Sequence, residues 1–337
     1  MDLEDQGNQY EVVIIGAGPA ALTAGIFLGR ANIRVLIIGR LEASGLADAS
    51  VVANWPGIPE GIGGRELLER MLMQAKQHGA EFVEEDVVHL ESIENSEVVR
   101  AHFHAQRKND LLISGGFLVR TASREDYFAQ KLLLAHGANY IKTDLPGEVE
   151  LVGKGVHYCV LCDGAVYKDK PVIVLGNGNL AAEEALQLAA FTKDITLISH
   201  SIKFSINEQY QKLLEEKGVK MQIGKVEGFE KEERGVKLLV RLPEESLPSE
   251  ETPLADGVFV ALGVASSMVF AKKLGLEEKN GFLKVNPDMT TNVPGVWGAG
   301  LSRGGVNQAI KSAGEGSVAA VGIIKELKGV VQYMDHT

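Results

Sequence analysis

Two cysteines, the only ones in the 337-residue chain, stand three positions apart in the segment GVHYCVLCDGAVY, and an acid follows them directly. Cys159 and Cys162 could form half of a zinc site, a structural disulfide or a redox couple. Zinc needs four ligands, and the sequence holds no second C-x-x-C and no H-x3-5-H pair. His157 could add one ligand, but three adjacent groups on one turn close poorly around a metal. A structural disulfide over so short a loop stabilises little, so we favour a redox couple, with Asp163 placed to handle a proton.

A redox couple needs an electron carrier, and the segment EVVIIGAGPAALTAGIFLGRANIRVLIIG at residues 11–39 predicts a dinucleotide site. The predicted strand, helix and second strand cover residues 12–15, 22–28 and 35–38. The turn between the first strand and the helix carries Gly16, Gly18 and Ala21 as G-x-G-x-x-A. Such a turn places a diphosphate on the positive end of the helix. Gly39 and Arg40 stand where an acid would bind a ribose.

A second unit of the same kind follows the cysteines, in KPVIVLGNGNLAAEEALQLAAFTKDITLISHS at residues 170–201. Its predicted strand, helix and next strand cover residues 171–175, 182–188 and 195–198. Gly176, Gly178 and Ala181 repeat the turn fingerprint. The chain therefore has either two dinucleotide sites, or one site and one remnant.

These elements predict an α/β fold with two Rossmann-like, three-layer ββα dinucleotide-binding domains, the second inserted into the first. We place the first domain at residues 1–143 and 254–337, and the central domain with its C-x-x-C at residues 144–253. The acidic, proline-containing stretch 242–257 is predicted to be a loop or boundary. Apolar strand character returns at GVFVALG, residues 257–263.

Charge and apolar patterning exclude several classes of function. Lys and Arg number 34 against 45 Asp and Glu, a net charge of -11 without a basic patch, so we expect no nucleic-acid partner. The N-terminus lacks the basic start of a signal peptide, and Gly, Pro or charge interrupts the apolar runs, so we expect no membrane span. Two cysteines are no secreted disulfide framework. We expect a cytoplasmic protein.

Several motifs in order give the chain a family resemblance: GAGPAALTAG, VANWPG, LLLAHGA, CVLCDG, GNGNLAAEEA, GVWGAG and NQAIKSAGEG. The chain resembles the low-molecular-weight thioredoxin reductases, which are FAD-dependent dithiol/disulfide oxidoreductases. The resemblance implies that Cys162 takes electrons from the flavin, Cys159 attacks the substrate disulfide and Asp163 is the acid/base. It also implies a thioredoxin-like protein disulfide as substrate, a homodimer, and a central domain that rotates at crossings near 142–146 and 250–256.

The resemblance further implies a set of FAD-binding positions, namely Gly16, Gly18, Ala21, Asn54, Ala135, His136, Gly137, Gly300, Gln308 and Ala309. The chain departs from the family pattern at some of them. Leu301 replaces the Asp of the family's Gly-Asp, and His136 replaces the usual Thr. Residues 43–45, Ala-Ser-Gly, replace the Gly-Gly-Gln loop, so FAD would have altered surroundings.

The largest departure concerns the electron donor. Relatives that use NADPH carry an H-R-R-x-x-x-R cluster whose arginines bind the 2′-phosphate, whereas residues 199–205 here read Ser-His-Ser-Ile-Lys-Phe-Ser. We therefore expect a donor other than NADPH. Relatives of this variant type use ferredoxin or a second flavin, and an intact turn at Gly176, Gly178 and Ala181 suits a second FAD or NADH.

Two other functions compete with disulfide reduction. Small-molecule dithiol oxidases of the same fold also keep C-x-x-C without the arginines, and they pass electrons to oxygen. A flavin-binding redox sensor without turnover is the remaining alternative. The acid beside the cysteines argues against the sensor, because a protein without turnover has no need of it.

Overall fold

The structure is a computed structural model, and it describes residues 7–93, 116–201, 203–241, 254–265 and 273–330, without the side chains of residues 139, 161, 162, 264 and 265. The chain divides into two compact units. The first unit holds residues 1–47, 51–138 and 266–337, and the second holds residues 48–50 and 139–265. The predicted pair of Rossmann-like domains, with the second inserted into the first, is confirmed.

The described residues form seven α-helices, nineteen short or medium strands and three 3-10 turns. The helices are α1 (Pro19–Arg30), α2 (Gly64–Gln77), α3 (Glu148–Leu151), α4 (Val160–Asp163), α5 (Asn179–Leu188), α6 (Glu208–Glu216) and α7 (Ala309–Lys328). The first ten strands are β1 (Gln9–Ile15), β2 (Val35–Ile38), β3 (Glu81–Val83), β4 (Val87–Ile93), β5 (Gly116–Thr121), β6 (Asp126–Leu134), β7 (Asn139–Tyr140), β8 (Val156–His157), β9 (Val172–Leu175) and β10 (Ile195–Ser199). The others are β11 (Lys220–Ile223), β12 (Lys225–Lys231), β13 (Val236–Arg241), β14 (Leu254–Ala255), β15 (Gly257–Val260), β16 (Val264–Ala265), β17 (Glu278–Lys279), β18 (Phe282–Leu283) and β19 (Val296–Gly298). The 3-10 turns are Leu41–Ala43, Gly164–Tyr167 and Gly300–Arg303.

The sheet of the first unit brings three turns to one edge. Its strand order is β3-β2-β1-β6-β5-β4, and β19 pairs with β6. β1, β6 and β19 are parallel, and Leu134 is level with Ile15 on one side and with Gly298 on the other. Because parallel strands end at the same edge, the turns that follow β1, β6 and β19 lie side by side.

Tight packing of α1 accounts for two of the glycines in the first unit. A Cβ on Gly25 of α1 would lie 2.6 Å from Cδ1 of Ile37 in β2. A Cβ on Gly316 of α7 would lie 2.1 Å from the Ala20 carbonyl oxygen. The Ala20 backbone leaves no room for a side chain at Gly316, so α1 packs against α7 at a distance that requires glycine, whereas a side chain at Gly25 would require the end of Ile37 to move.

The second unit has three layers. Its parallel sheet runs in the order β11-β10-β9-β15-β8, and β12, β13 and β14 form a separate antiparallel sheet. Alternate residues of β9 point to opposite faces, as expected for a strand. Val172 and Val174 pack with residues of α5 and α6, whereas Ile173 and Leu175 pack with residues of the antiparallel sheet. β9 is therefore buried on both faces, which explains its continuous apolar run.

The boundary between the units differs from the sequence prediction. We placed residues 254–265 in the first domain, but β15 pairs with β9 and β8 and so completes the sheet of the second unit. β16 pairs with β7, which puts residues 139–140 there as well. An apolar strand such as GVFV would suit either sheet, so its sequence does not decide which one it joins. Residues 242–253, most of the predicted loop, lie outside the described residues.

The buried carboxylate of Glu148 accepts hydrogen bonds from the backbone at the start of the second unit. Glu148 is fully buried and accepts hydrogen bonds from the backbone N–H groups of Thr143 and Asp144, at 2.9 Å each. It also accepts from the Thr143 hydroxyl at 2.7 Å and from the Tyr158 hydroxyl at 2.8 Å. The segment 142–146, where we predicted a crossing, is therefore held through one side chain.

Replacing Glu148 with glutamine is expected to destabilise the second unit by about 2–4 kcal/mol. The amide keeps the shape but turns an acceptor oxygen into a donor facing other donors, and buried polar groups left unpaired are costly. A thermal melt followed by circular dichroism measures the change. Glu150→Gln is the matched control, because Glu150 is exposed on the same short helix. Equal melting temperatures for the two variants would show that Glu148 is not what fastens this segment.

Candidate functional site

The cysteine motif lies between a strand and a helix of the second unit. Cys159 follows β8, is 9% exposed, and is disulfide-bonded. It occupies the position before α4, and the N–H of Asp163 donates to the Cys159 carbonyl at 3.1 Å. The motif thus forms one short helical turn. The side chain of Cys162, the other cysteine of the chain, lies outside the described residues.

Asp163 contacts a residue that sequence reasoning considered only as a metal ligand. Its carboxylate lies 3.2 Å from Nδ1 of His157, and Nε2 of His157 lies 2.6 Å from the Tyr167 hydroxyl. His157 is 7% exposed and stacks on Phe259 with ring centroids 5.3 Å apart. The Asp163 carboxylate, next to the cysteines, is therefore held by a buried imidazole ring.

A second carboxyl near the cysteines was missed altogether. Oε2 of Glu184 on α5 accepts the N–H of Val160, the residue after Cys159, at 2.9 Å. Burial raises the pKa of Glu184 to about 7, with the nearby Glu183 adding to it and the Val160 hydrogen bond opposing it. Glu184 therefore changes its charge near neutral pH, one hydrogen bond away from the cysteine motif. Nothing in its spacing distinguished it from an ordinary helix glutamate.

The raised pKa of Glu184 predicts a pH-dependent stability. Because the pKa is higher in the folded chain, protonation favours folding below about pH 4.5, and this contribution is lost as the pH rises to about 7. We expect Glu184→Gln to raise the melting temperature at pH 8 and to flatten its change between pH 5 and pH 8. Melts of Glu216→Gln, an exposed helix glutamate that does not contribute to the raised pKa of Glu184, give the control. An unchanged slope in Glu184→Gln would contradict the assignment.

The first glycine turn has the shape of a diphosphate cradle. Gly16 has φ +119°, and a Cβ on it would lie 2.2 Å from the Ala135 carbonyl oxygen, so the neighbouring turn requires glycine here. Gly18, at the start of α1, is different, because a Cβ there would meet only Ser44 Oγ at 3.4 Å. The protein leaves open the space above Gly18 and the N-terminus of the 12-residue helix α1. A diphosphate that binds to a helix N-terminus needs such a space. Ala21 is fully buried under the turn.

The neighbouring turn, Ala135–Gly137, holds an unpaired histidine. Both ring nitrogens of His136 are buried and have no hydrogen-bond partner in the part of the chain that the structure describes. Burial lowers the pKa of His136 to about 4, so its ring is neutral at pH 7. Unpaired buried polar atoms are rare and costly, and they fit a site that is completed by a bound molecule. The first unit therefore has the features that a dinucleotide such as FAD requires.

The side chains of two other predicted flavin-binding residues, Asn54 and Gln308, are hydrogen-bonded to each other. Nδ2 of Asn54 donates to Oε1 of Gln308 at 2.8 Å, although the residues are 254 positions apart. Gln308 is the residue before α7, which begins at Ala309. The predicted NWPG and NQA segments are thus brought together in the first unit.

The backbone N–H of Gly300 is hydrogen-bonded to a carboxylate that we did not predict. Its N–H donates to Oε2 of Glu315 on α7 at 2.9 Å, and Glu315 also pairs with Arg303 and, at 3.0 Å, with Lys311. Leu301 stands where the family has an aspartate after the glycine, and the carboxylate next to Gly300 comes instead from Glu315 on α7. The N–H of Gly300 is consequently not free for a cofactor in this arrangement.

The second glycine turn resembles the first in its packing, although Gly176 does not share the positive φ of Gly16. A Cβ on Gly176 would lie 2.5 Å from the Ala261 carbonyl oxygen and 2.8 Å from Cβ of Ala181, so packing requires this glycine. A Cβ on Gly178, at the start of α5, would have nothing within 4 Å. Beyond β10, the buried Nδ1 of His200 has no partner among the described residues. The second unit therefore also leaves space at a helix N-terminus.

Neither a metal cluster nor a membrane-spanning helix is found where the structure describes the chain. Its histidines, cysteines and acids form no group of three or more that could hold a metal ion. No described helix is both long enough and apolar enough to cross a bilayer.

Comparison with known proteins identifies the family. A model of the pyridine nucleotide-disulphide oxidoreductase family matches residues 10–316. The thioredoxin reductase of Bacillus subtilis is 32% identical over 314 residues, 92% of either chain. The solved thioredoxin reductase from Giardia duodenalis is 27% identical with a TM-score of 0.79, covering 95% of this chain and 99% of its own. The atypical thioredoxin reductase TRi from Desulfovibrio vulgaris Hildenborough is 32% identical with a TM-score of 0.51, covering 96% and 100%.

The chain therefore belongs to the pyridine nucleotide-disulphide oxidoreductase family. Within that family it is a flavin-dependent disulfide oxidoreductase similar to the thioredoxin reductases.

Proposed function

We propose that the chain passes electrons between bound FAD and the Cys159/Cys162 pair, and from there to the disulfide of a thioredoxin-like protein. The observation that carries the proposal is the disulfide-bonded Cys159 in a C-x-x-C turn whose next residue, Asp163, is held by a buried histidine. A structural disulfide would have no need of a fixed proton donor. The open space above Gly18 supports a dinucleotide as the electron carrier.

FAD, when bound, supplies the two-electron chemistry, and the residues of this chain provide its binding and the proton. The turn from Gly16 to Ala21 would hold the diphosphate, with Asn54, Gln308, Ala309 and the Ala135–Gly137 turn along the remainder. In the proposed reaction Cys159 attacks the substrate disulfide, Cys162 is the cysteine nearer the flavin, and Asp163 moves the proton.

We propose further that the electron donor is not NADPH. A 2′-phosphate calls for charge-assisted contacts, and residues 199–205 offer Lys203 as their only full positive charge. The open turn at Gly178 supports an adenine dinucleotide without that phosphate, and a second FAD is the specific candidate, with NADH as the alternative. A reduced ferredoxin is the other candidate donor. One relative is itself described as an atypical thioredoxin reductase.

Flavin content and donor preference test the proposal. We expect about two FAD per chain after denaturation and extraction, and an NADPH affinity at least about 10²-fold weaker than in an arginine-bearing relative, because two or more phosphate contacts are lost. Anaerobic mixing with NADPH, NADH or reduced ferredoxin shows which of them bleaches the flavin. Ser201→Arg, which returns one guanidinium beside His200, should recover part of the NADPH affinity.

Three results would contradict these proposals. Rapid flavin reduction by micromolar NADPH would rule out the variant donor. One FAD per chain without NADH binding would leave the second turn as a structural remnant. Oxidation of small dithiols by oxygen, with no reduction of a thioredoxin-like disulfide, would favour the dithiol-oxidase alternative.

Assembly and location complete the proposal. We propose a homodimer in the cytoplasm, as the family resemblance and the low cysteine content suggest. Light scattering coupled to size exclusion measures the mass of the assembly, and fractionation of the source cells locates the protein.

A further inference from the structure

Three polar side chains form a buried series that ends at the cysteine motif. The Tyr167 hydroxyl lies 2.6 Å from Nε2 of His157, and Nδ1 of His157 lies 3.2 Å from the Asp163 carboxylate. Phe259 stacks on the imidazole at 5.3 Å, with 29° between the ring planes, and Tyr167 meets its edge. The imidazole therefore has one orientation, with each nitrogen directed at one partner.

A neutral imidazole can satisfy both partners in either charge state of the carboxyl. When Asp163 is ionised, the Nδ1–H tautomer donates to it, and Nε2 accepts from the Tyr167 hydroxyl. When Asp163 is protonated, the other tautomer accepts from the carboxyl at Nδ1, and Nε2–H donates to the Tyr167 oxygen. The series can thus accommodate loss and return of the Asp163 proton without a buried charge on the ring.

The other charged and titratable groups described near Asp163 are two tyrosines, two acids and a lysine. Tyr140 and Tyr167 both lie within range of the Asp163 charge, and each has a pKa raised first by its own burial. Glu184 adds negative charge near Tyr140, and Asp256 does so near Tyr167. Lys170 lies over the Tyr167 ring at 5.8 Å, and no described lysine or arginine forms an ion pair with Asp163.

We propose that His157 is a positioning residue for opening of the Cys159/Cys162 disulfide, holding the Asp163 carboxyl and donating to it once its proton has left. In this step a thiolate of an external dithiol bonds to one sulfur and the S–S bond breaks. The departing sulfur keeps the bonding electron pair and takes the proton of Asp163. The proposal rests on the proposed function, and it adds a residue that the chemistry of the cysteine pair alone does not require.

The rate at which dithiothreitol opens the disulfide, measured against pH in the flavin-loaded protein, tests this role. Anaerobic samples are quenched with a maleimide, alkylated thiols are counted by mass, and rates are expressed per dithiothreitol thiolate. The wild-type rate should fall as the pH rises, because opening of the disulfide consumes a proton. In His157→Phe the ionised carboxyl lacks its donor, so protonation is favoured and the midpoint of this fall should move up by about one pH unit.

Three further variants separate positioning from packing. His157→Asn, whose amide N–H can take the place of Nδ1–H, should bring the midpoint back close to that of the wild type. Tyr167→Phe, which keeps the ring but loses the hydroxyl, should move it upward by less than His157→Phe does. Thr192→Val removes another buried hydrogen bond of this unit, to the Lys170 carbonyl at 2.7 Å, and should leave it unchanged. Because Glu184 titrates near neutrality, each variant is also measured with Glu184→Gln.

The outcomes are distinct. The role of His157 is overturned if two results occur together. The first is a Tyr167→Phe midpoint equal to that of the wild type, and the second is a His157→Phe protein that shows no shift or does not fold. A midpoint that moves as much in His157→Asn as in His157→Phe overturns it as well. A wild-type disulfide that dithiothreitol does not open at any pH contradicts the proposed function instead.

Discussion

Cys159→Ser is expected to abolish transfer of electrons to a protein disulfide, with a loss on the order of 10³-fold or more, because the attacking sulfur is removed. The fold should survive, since serine is close to cysteine in size and the position is the start of a short helical turn. In the proposed roles, the remaining Cys162 thiolate would lie against the flavin and give a long-wavelength charge-transfer band. Steady-state reduction of a thioredoxin-like substrate and the visible spectrum measure both effects.

The control for Cys159→Ser is a variant that adds a serine hydroxyl near the motif but keeps both cysteines. Ala165 is exposed two residues after Asp163, and Ala165→Ser should keep both the activity and the spectrum. If Cys159→Ser retained its turnover, the pair would not be the route of the electrons. If Cys159→Ser and the corresponding Cys162→Ser both left the flavin spectrum unchanged, the pair would lie away from the ring.

Gly18→Ala is expected to lower FAD affinity by about 10²-fold or more while the protein stays folded. Gly18 has φ −84°, which alanine adopts without strain, and its new Cβ would meet only Ser44 Oγ at 3.4 Å. The methyl group would instead occupy the space through which a diphosphate approaches the backbone. Flavin absorbance after gel filtration and titration of the apoprotein with FAD measure the loss.

Gly178→Ala provides the matched comparison in the second unit. Gly178 has φ −114°, and a Cβ there would have nothing within 4 Å, so the fold should again be unaffected. If the second unit binds FAD, this variant should lose one flavin of two and keep the flavin of the first unit. Full flavin content in Gly18→Ala would show that the first turn does not hold the cofactor.

The parts of the fold that were predicted from the sequence are local in the chain. The predicted strand at 12–15, helix at 22–28 and strand at 35–38 lie within Gln9–Ile15, Pro19–Arg30 and Val35–Ile38, and the helix begins three residues before its predicted start. The helix between β9 and β10 likewise begins three residues before its predicted start. Each unit of this kind carries its own apolar pattern, so its existence can be predicted before its neighbours are known.

The residues that were missed depend on contacts between distant segments. Glu184 lies 24 positions from Val160, and Glu315 lies 15 positions from Gly300. His157 was visible as a histidine beside a cysteine, but its contact with Asp163 requires the turn of α4 to bring the two together. A carboxylate that binds a backbone N–H leaves no spacing pattern, because its partner can be any residue.

The pairing of β19 with β6 has a consequence for the order in which a newly made chain folds. β6 ends at Leu134, whereas its partner begins at Val296, so the first sheet cannot be completed until the chain has been made as far as Gly298 and has left the ribosome. The central segment 139–265 is almost continuous and can fold while synthesis goes on. During that interval the edge of β6 that pairs with β19 has no partner strand, and unpaired strand edges favour aggregation. We therefore expect the central unit to be the first part of a nascent chain to resist proteolysis, and flavin to be captured only after β19 has been made and has paired with β6.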